Sequence, residues 1–325
     1  MVWIEFAVCG ALLTVFAYNL CKEGVILSEK THLEEGVIGM FFLAAATSFP
    51  EIATGATAVF SLDMIGLGYG DLAGSIIVNL MILFALDVYC GRGRILLKVS
   101  RLNRLTGIFV LVAASVVLSA ALLRTLGISL SVIGMVGVES IVLVGVYFAY
   151  LKVISRKGPP KHKEIHGGVN EPFWRIWSKF ILLLVIVMFL GMWMAKIGEK
   201  IVLSTTLSQT FTGTLLLGFA TSLPEIIVSF AAIRASSVDM AVGNILGSNL
   251  FDICVVALLD ILTKVPILGA LTSGQVLSTV VVLVLSGIAV AGLFSRRDNN
   301  RRVSWDTSLI FAVGLAGFVI LYFIK

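Results

Sequence analysis

Long apolar runs dominate this chain, and its polar residues are concentrated in the short stretches between them. Runs of membrane-spanning length lie near residues 2–20, 36–60, 71–90, 105–123, 127–151, 174–195, 210–233, 239–262, 274–295 and 304–324. The runs are continuous rather than alternating between apolar and polar positions, so they predict helices and not the strands of a barrel. The pattern therefore predicts an all-α membrane protein with ten transmembrane helices.

The composition agrees with a membrane protein and excludes several other classes of protein. Of 325 residues, 58% are hydrophobic and 13% are charged, whereas soluble domains carry about 25% charged residues. A soluble globular enzyme and a disordered chain are thereby excluded. The four cysteines show no Cys-x-x-Cys or Cys/His spacing, so neither a disulfide framework nor a zinc site is predicted. The first apolar run lacks a basic leading segment and is expected to be a retained span.

Lysine and arginine are distributed unevenly between the two sets of loops. Nineteen of the 24 lie on one side of the predicted spans and five lie on the other. Because positively charged loops stay in the cytoplasm, the first set is predicted to be cytoplasmic and both termini to be extracellular. The net charge of +5 is then a signal of topology rather than of nucleic-acid binding. We expect a multi-pass protein of the cell (plasma) membrane.

Two segments of the chain match each other in their polar residues as well as in their apolar ones. Residues 46–52 and 220–226 share the pattern Ala-Thr-Ser-x-Pro-Glu-Ile at an offset of 174 residues. Downstream, residues 70–79 match residues 243–252 at an offset of 173. Matched polar residues inside apolar runs rarely arise by chance, so the pattern indicates an internal repeat.

The repeat divides the ten predicted spans into two halves. Residues 1–153 hold the first five spans, residues 174–325 hold the other five, and a short cytoplasmic linker at 154–173 joins them. Since five is odd, the second half enters the membrane from the opposite side. This is the inverted repeat of many secondary transporters, whose binding site lies between the halves near the middle of the membrane.

Each copy of the motif combines a helix break with an acidic side chain. Pro50 and Pro224 lack a backbone N–H and disrupt the helix, and Glu51 and Glu225 follow them directly. Each half therefore offers freed carbonyls, two hydroxyls and a carboxylate within about one helical turn, which suits a hard cation. A carboxylate at mid-membrane costs about 2.5–3.5 kcal/mol, so bound cations or protons are expected to compensate it. A kink that serves only packing explains a lone proline better than this repeated pair.

Further polar side chains lie one helical turn apart in the second window. Ser75 and Asn79 are four residues apart, as are Ser248 and Asp252, so each pair shares a helix face. Asp252 therefore brings a third acidic group to the predicted site.

Four other acidic residues lie in or beside the spans. Asp71 is predicted to cap the third span rather than to line the mouth of the site. Asp87 and Asp260, related by the offset of 173, are predicted to be helix-end or pairing residues rather than ligands. For Glu139 two interpretations stay open, a proton-linked group and a satisfied contact between helices.

The two motifs resemble the α-repeats of the sodium/calcium exchanger family, within the calcium/cation antiporter superfamily, and the compact chain resembles its prokaryotic members. The resemblance implies four cation positions arranged as a diamond, and spans one and six that slide across the other eight. It implies ligand oxygens from Glu51, Glu225, Asp252, Asn79, Thr47, Thr221, Ser48, Ser222, Ser75, Ser248, Ala44 and Gly218. The chain departs from the family pattern at Ala46 and Ala220, where the family carries glycine, and its halves differ from each other in pairing Ile76 with Asn249 and Asp71 with Asn244.

The function that the resemblance implies is antiport of Na⁺ against Ca²⁺ by alternating access, not an enzymatic reaction. These two ions and the lipid bilayer are the expected partners, with no cofactor, no nucleic acid and no obligate protein partner. A K⁺-dependent or H⁺-coupled exchanger is the alternative within the same fold, and a cation channel is the alternative of another class. An intramembrane enzyme is disfavoured because the three histidines all lie in predicted loops.

Overall fold

The protein was analysed as a computed structural model that describes residues 1–30, 44, 46–91, 95–128, 132–133, 136–155, 172–234, 237–262, 267–269, 271–295 and 303–324. Its helices in this part of the chain are α1 (Val2–Lys30), α2 (Phe49–Ala56), α3 (Ile65–Cys90), α4 (Arg101–Thr125), α5 (Val138–Ser155), α6 (Phe173–Ser204), α7 (Gln209–Phe211), α8 (Gly218–Thr221), α9 (Leu223–Arg234), α10 (Val238–Leu262), α11 (Ser273–Phe294) and α12 (Trp305–Phe323). Most of the predicted linker, part of the second predicted span and the three histidines lie outside the described residues.

Short irregular elements connect the helices. Two π-helical segments cover Thr57–Ser61 and Thr212–Leu217, and two 3₁₀ turns cover Leu96–Lys98 and Ile267–Gly269. Strands β1 (Val132–Ile133) and β2 (Val136–Gly137) pair antiparallel, with Val132 opposite Gly137 and Ile133 opposite Val136.

The all-helical membrane character predicted from the sequence is confirmed. Seven helices of the described residues are long and apolar enough to cross a membrane, namely α1, α3, α4, α6, α10, α11 and α12. The α7–α9 region adds an eighth if its two bent pieces are counted as one span. The predicted number of ten spans and their division into inverted halves stay predictions.

Local sequence signals fix where several of these helices begin and end. A capping box formed by Thr272 and Gln275 closes the first turn of α11, and the Ser100 hydroxyl accepts a hydrogen bond from the Asn103 N–H at the start of α4. Helix α3 ends at Cys90 and is followed by Gly91, whose φ of 63° is a conformation that glycine adopts without strain.

Both prolines of the repeated motif lie in the first turn after a helix break. Helix α2 carries Pro50 at its start, and α9 carries Pro224. At the second break, the helical stretch that ends at Thr221 and α9 meet at an angle of 40°. Proline donates no backbone hydrogen bond, so the carbonyls of Ala46 and Ala220 lose the partner that a regular helix would supply.

Helices α3 and α10 run antiparallel through the centre of the molecule. At one end, the backbone N–H of Ser100, the N-cap residue of α4 in the connection that follows α3, donates to Asp239 Oδ1 at the start of α10 (2.6 Å). At the other end, Tyr69 near the start of α3 lies 2.7 Å from Thr279 of α11, the helix that follows the end of α10. The residues of the second repeated window therefore run in opposite directions in the two halves.

The buried apolar side chains form two separate clusters. The larger cluster joins α3, α4, α5, α10, α11 and α12. The smaller one is built mainly from α1 and α6, with contributions from both proline-containing regions and from the start of α3. Helices α1 and α6 pack most extensively against each other, so they form a layer with its own core.

Candidate cation site

The two proline motifs lie face to face across the two repeats. Thr47 Oγ1 of the first motif lies 3.0 Å from Ser248 Oγ of the second half. Thr221 Oγ1 of the second motif lies 3.1 Å from Ser75 Oγ of the first half. These two contacts are equivalent under the repeat, so each half contributes its proline motif to one contact and its serine helix to the other. We call the side chains around these contacts the central site, which comprises Thr47, Ser48, Glu51, Ser75, Asn79, Thr221, Ser222, Glu225, Ser248 and Asp252.

Three acidic side chains lie in the central site, and each is fully buried. Glu51, Glu225 and Asp252 have 0% of their surface exposed. Ser75 Oγ lies 3.4 Å from Glu51 Oε1. The charge of Glu51 interacts with those of Glu225 and Asp252. Like charges held together away from water are unfavourable unless cations or protons neutralise them.

Many buried polar atoms of the central site have no hydrogen-bond partner. They are Ser48 Oγ, Ser222 Oγ, Glu51 Oε2, both carboxylate oxygens of Glu225 and of Asp252, and both amide atoms of Asn79. Buried polar atoms in folded proteins are nearly always hydrogen-bonded. All of these atoms except the Asn79 amide nitrogen are oxygens, and a cluster of unpaired oxygens is the arrangement expected of ligands for a hard cation.

Two of the four predicted backbone ligands, Ala44 and Gly218, occupy equivalent positions in the two halves. The Ala44 carbonyl accepts from the Ser48 N–H (3.1 Å) and from the Thr47 hydroxyl (3.0 Å). The Gly218 carbonyl accepts from the Ser222 N–H (3.2 Å), and Ser75 Oγ lies 3.4 Å away. The carbonyls, hydroxyls and carboxylates of the motif are thus joined in one oxygen-rich network.

Acidic side chains alone do not form a chelating cluster in this network. Among the described residues, no three or more His, Cys, Asp or Glu side chains are placed so as to hold one metal ion together. Any bound cation must therefore take part of its ligands from hydroxyl, amide and carbonyl oxygens, all of which Ca²⁺ and Na⁺ accept.

Asp71 is placed differently from the sequence prediction. Helix α3 begins at Ile65, so Asp71 lies inside the helix and the predicted capping role is wrong. The prediction failed because the glycine-rich first turns of α3 are less apolar than the rest, which put the predicted start of the span too late. The side chain is fully buried and accepts a hydrogen bond from Thr221 Oγ1 at 3.0 Å.

Asn249 is a second polar residue that the sequence analysis did not assign to the site. It is fully buried, and neither of its amide atoms has a hydrogen-bond partner. It follows Ser248 directly and occupies the repeat position of Ile76. The departure from the repeat was visible in the sequence, but only the burial shows that the amide lies unpaired in the interior.

Asp87 and Asp260 hold the ends of their helices to neighbouring segments, in agreement with the predicted helix-end role. Asp87 accepts from the N–H groups of Ile95 (3.2 Å) and Ser304 (2.7 Å) and from the Thr307 hydroxyl (2.9 Å). Asp260 accepts in the same pattern from Ile267 N–H (2.7 Å), Gly137 N–H (3.2 Å) and the Ser140 hydroxyl. Each carboxylate thereby connects its own half to the last span of the other half.

Glu139 forms an ion pair between helices, which answers the question that the sequence left open. Arg124 at the end of α4 donates to Glu139 Oε1 through Nε (2.9 Å) and Nη2 (2.7 Å). Glu139 is 3% exposed, so the pair lies at a buried junction of α4 and α5.

Comparison with known proteins places this architecture among ion exchangers. The family model described as "Sodium/calcium exchanger protein" matches residues 1–155 and 176–324. The uncharacterized membrane protein MJ0091 of Methanocaldococcus jannaschii is 30% identical over 222 residues, which cover 67% of each chain. The inner membrane protein YrbG of Escherichia coli is 26% identical over 263 residues, which cover 77% of this chain and 76% of YrbG.

Two solved structures share the fold. The sodium-calcium exchanger NCX_Mj, soaked with 10 mM Na⁺ and zero Ca²⁺, superposes with a TM-score of 0.62 at 24% identity, covering 98% of this chain and 99% of the other. The H⁺/Ca²⁺ exchanger CAX superposes with a TM-score of 0.70 at 13% identity, covering 99% of this chain and 86% of the other. At these identities the likeness shows a common fold.

Proposed function

The chain belongs to the sodium/calcium exchanger family, and from this membership and the central site we propose that it exchanges Na⁺ for Ca²⁺ across a membrane by alternating access. The observation that carries the proposal is the pair of equivalent contacts, Thr47 to Ser248 and Thr221 to Ser75. They bring two buried glutamates and a buried aspartate from opposite halves into one oxygen-rich site without hydrogen-bond partners for most of their carboxylate oxygens.

The proposed cation ligands are the twelve residues that the resemblance to the exchanger family implies. Glu51 and Glu225 supply carboxylates shared between ion positions, and Asp252 supplies a third. The remaining ligands are the hydroxyls of Ser48, Ser75, Ser222 and Ser248, the amide of Asn79, and the backbone carbonyls of Ala44, Thr47, Gly218 and Thr221.

Coupling follows from the energy of moving buried charge. An unoccupied site would carry three carboxylates through the low-dielectric membrane interior, at about 2.5–3.5 kcal/mol for each charge. Three Na⁺ ions or one Ca²⁺ ion neutralise enough of this charge for the site to change its exposure from one side to the other. One competitive site then exchanges the two ions without a leak.

The conformational change is proposed to be a sliding of α1 and α6 against the rest of the protein. These two helices share an apolar cluster that is separate from the larger core, so they can move as a unit. We place this motion in an inverted arrangement of two five-span halves, residues 1–153 and 174–325, with both termini outside the cell membrane of a prokaryote.

The proposal is tested by reconstituting the protein into liposomes and measuring ⁴⁵Ca²⁺ uptake driven by a Na⁺ gradient. Glu51→Gln and Glu225→Gln each remove one charged ligand, a loss of about 2 kcal/mol or more, so uptake should fall at least about 30-fold. The control is Glu5→Gln, since Glu5 of α1 pairs with the exposed Lys200 of α6 at the protein surface. Unchanged uptake in either site variant would contradict the proposal.

Two further arms separate the alternatives. In the first arm, K⁺ or the pH gradient is varied at fixed Na⁺. If uptake depends on either, Na⁺ is not the sole coupling ion, although the cation site stays as proposed. Ionic currents that persist without a counter-ion would indicate a channel.

A further inference from the structure

A groove between α4 and α5 lies apart from the central site. It has a volume of about 520 Å³ and is lined mainly by one face of α4, from Leu111 to Leu123, together with Glu139 and Val142 of α5. Val142 is exposed, as is Ser119 in the α4 wall. Since α4 is apolar and long enough to cross a membrane, the groove opens toward the acyl chains of the surrounding lipid. We call it the α4–α5 groove.

The α4–α5 groove has the length of one membrane leaflet. Its α4 wall contains Leu111, Ser115, Ser119 and Leu123, which recur every four residues and so form a row on one helix face. At 1.5 Å per residue this row is about 18 Å long, and half of the hydrocarbon core is about 15 Å thick. The row begins near the middle of α4 and ends near its last residue, Thr125. The groove therefore runs from the middle of the membrane to one boundary, as a single acyl chain does.

An unpaired carboxylate oxygen lies at the boundary end of the α4–α5 groove. Glu139 lines the groove and is 3% exposed. Its Oε1 accepts both hydrogen bonds from Arg124, whereas its Oε2 has no hydrogen-bond partner. A buried acceptor without a partner is unfavourable. The arrangement therefore points to a hydrogen-bond donor that the described part of the protein does not supply.

Arg124 supplies the complementary group at the same end. It uses Nε and Nη2 for Glu139, and its Nη1 donates none of the hydrogen bonds among the described residues. Its side chain is 13% exposed, so a ligand can reach it. The ion pair thus offers one spare charged donor beside one spare charged acceptor.

A zwitterionic headgroup matches this pair. A phosphate accepts from a guanidinium and a primary ammonium donates to a carboxylate, and hydrogen bonds between charged groups are roughly twice as strong as neutral ones. A choline headgroup has no N–H to donate. A glycerol headgroup can donate only through neutral hydroxyls, and its lipid carries a net negative charge that the neutral pair does not balance.

We propose that the α4–α5 groove binds one phospholipid whose headgroup carries a primary ammonium group. Its phosphate binds Arg124, its ammonium group donates to Glu139 Oε2, and one of its acyl chains lies along the α4 row. The inference does not depend on which ions the protein exchanges.

Three variants separate the headgroup contact from the acyl-chain contact. Glu139→Gln keeps an oxygen for Arg124 but replaces Oε2 by an NH₂ group, which cannot accept a hydrogen bond. Ser119→Phe fills the groove from an exposed position and leaves the ion pair intact. Val144→Phe is the matched control, because Val144 is exposed on α5 but does not line the groove.

The test is native mass spectrometry of the purified protein in detergent. The protein is incubated with equal amounts of phosphatidylethanolamine, phosphatidylcholine and phosphatidylglycerol that carry the same acyl chains. We expect the wild type and Val144→Phe to retain one phosphatidylethanolamine per chain in preference to the other two lipids. Glu139→Gln should retain it at least about 10-fold less, because a hydrogen bond between charged groups is lost. Ser119→Phe should abolish its retention.

Several results would overturn the proposal. Equal retention of the three lipids, or preference for phosphatidylglycerol, would contradict the ammonium contact. Wild-type retention in Ser119→Phe would place the lipid elsewhere, and this variant decides the question if Glu139→Gln does not fold. A dimer mass in the wild type that is lost in Ser119→Phe would show that a second copy of the chain covers the groove instead of a lipid.

Discussion

Asp87→Asn separates the acidic residues that hold the architecture from those proposed to bind ions. The Asp87 carboxylate accepts three hydrogen bonds, from Ile95 N–H on Oδ1 and from Ser304 N–H and the Thr307 hydroxyl on Oδ2. Asparagine has an acceptor oxygen in place of only one of the two carboxylate oxygens, and an NH₂ group in place of the other. Its NH₂ group would face the Ser304 N–H, which would then have no acceptor in a buried position.

The expected loss of stability follows from these contacts. An unsatisfied buried donor costs about 1–3 kcal/mol, and replacing a charged by a neutral acceptor removes about 1 kcal/mol more. The Thr307 hydroxyl can rotate and accept from the new NH₂ group, so it adds little to the loss of stability. We therefore expect the free energy of unfolding to fall by about 2–4 kcal/mol. Asp260→Asn should behave in the same way because its contacts repeat those of Asp87.

The assay is thermal unfolding of the purified protein in detergent, followed by the loss of the monodisperse peak in fluorescence-detected size-exclusion chromatography. Asp63→Asn is the control, since Asp63 is exposed and its φ of 54° suits asparagine. Asp87→Asn should melt well below the wild type yet still exchange Ca²⁺ at low temperature. Wild-type melting together with lost exchange would refute this assignment and place Asp87 in the transport machinery.

Further outcomes follow from the same structure. In the absence of cations, Glu51→Gln should melt no lower than the wild type because it removes like-charge repulsion, and its melting point should no longer rise on adding Ca²⁺. Gly191→Ala should slow ⁴⁵Ca²⁺ exchange, since the added methyl group would lie 2.6 Å from a methyl group of α2 and overpacking costs about 1–3 kcal/mol, or about 5- to 150-fold. Gly10→Ala, whose nearest neighbour would be 3.8 Å away, should leave exchange unchanged. Ser75→Ala and Ser248→Ala should weaken Ca²⁺ binding by similar factors of about 5, measured by calorimetry, because each removes one equivalent hydroxyl. Uptake measured against external pH should decline in acid, since carboxylates bind cations only when deprotonated.

The sequence was sufficient to predict the facing motifs because the repeat is carried by polar residues. Thr47 and Thr221, like Ser75 and Ser248, recur at nearly constant offsets inside apolar runs, and this recurrence indicates equivalent interior positions in the two halves. The inverted-repeat argument then predicts that equivalent residues meet across the halves, and the two hydroxyl contacts agree with it.

Features that break the repeat could not be predicted in the same way. The burial of Asp71 depends on where α3 begins, and a hydropathy pattern locates helix ends only to within a few residues. The π-helical segments follow opposite patterns, after the proline in the first half and before it in the second. The partner of Glu139 is Arg124, and this pairing depends on how α4 and α5 turn toward each other. These features are set by packing between distant segments rather than by local composition.

The most direct test of the central claim is the location of a heavy calcium substitute in crystals of the protein. Diffraction from crystals soaked in Sr²⁺ should give an anomalous peak between the two proline breaks, within about 2.3–2.6 Å of carboxylate oxygens of Glu51 and Glu225. Excess Na⁺ should remove the peak if both ions compete for the same ligands. A peak away from both glutamates, in crystals of protein that exchanges Ca²⁺, would contradict the account.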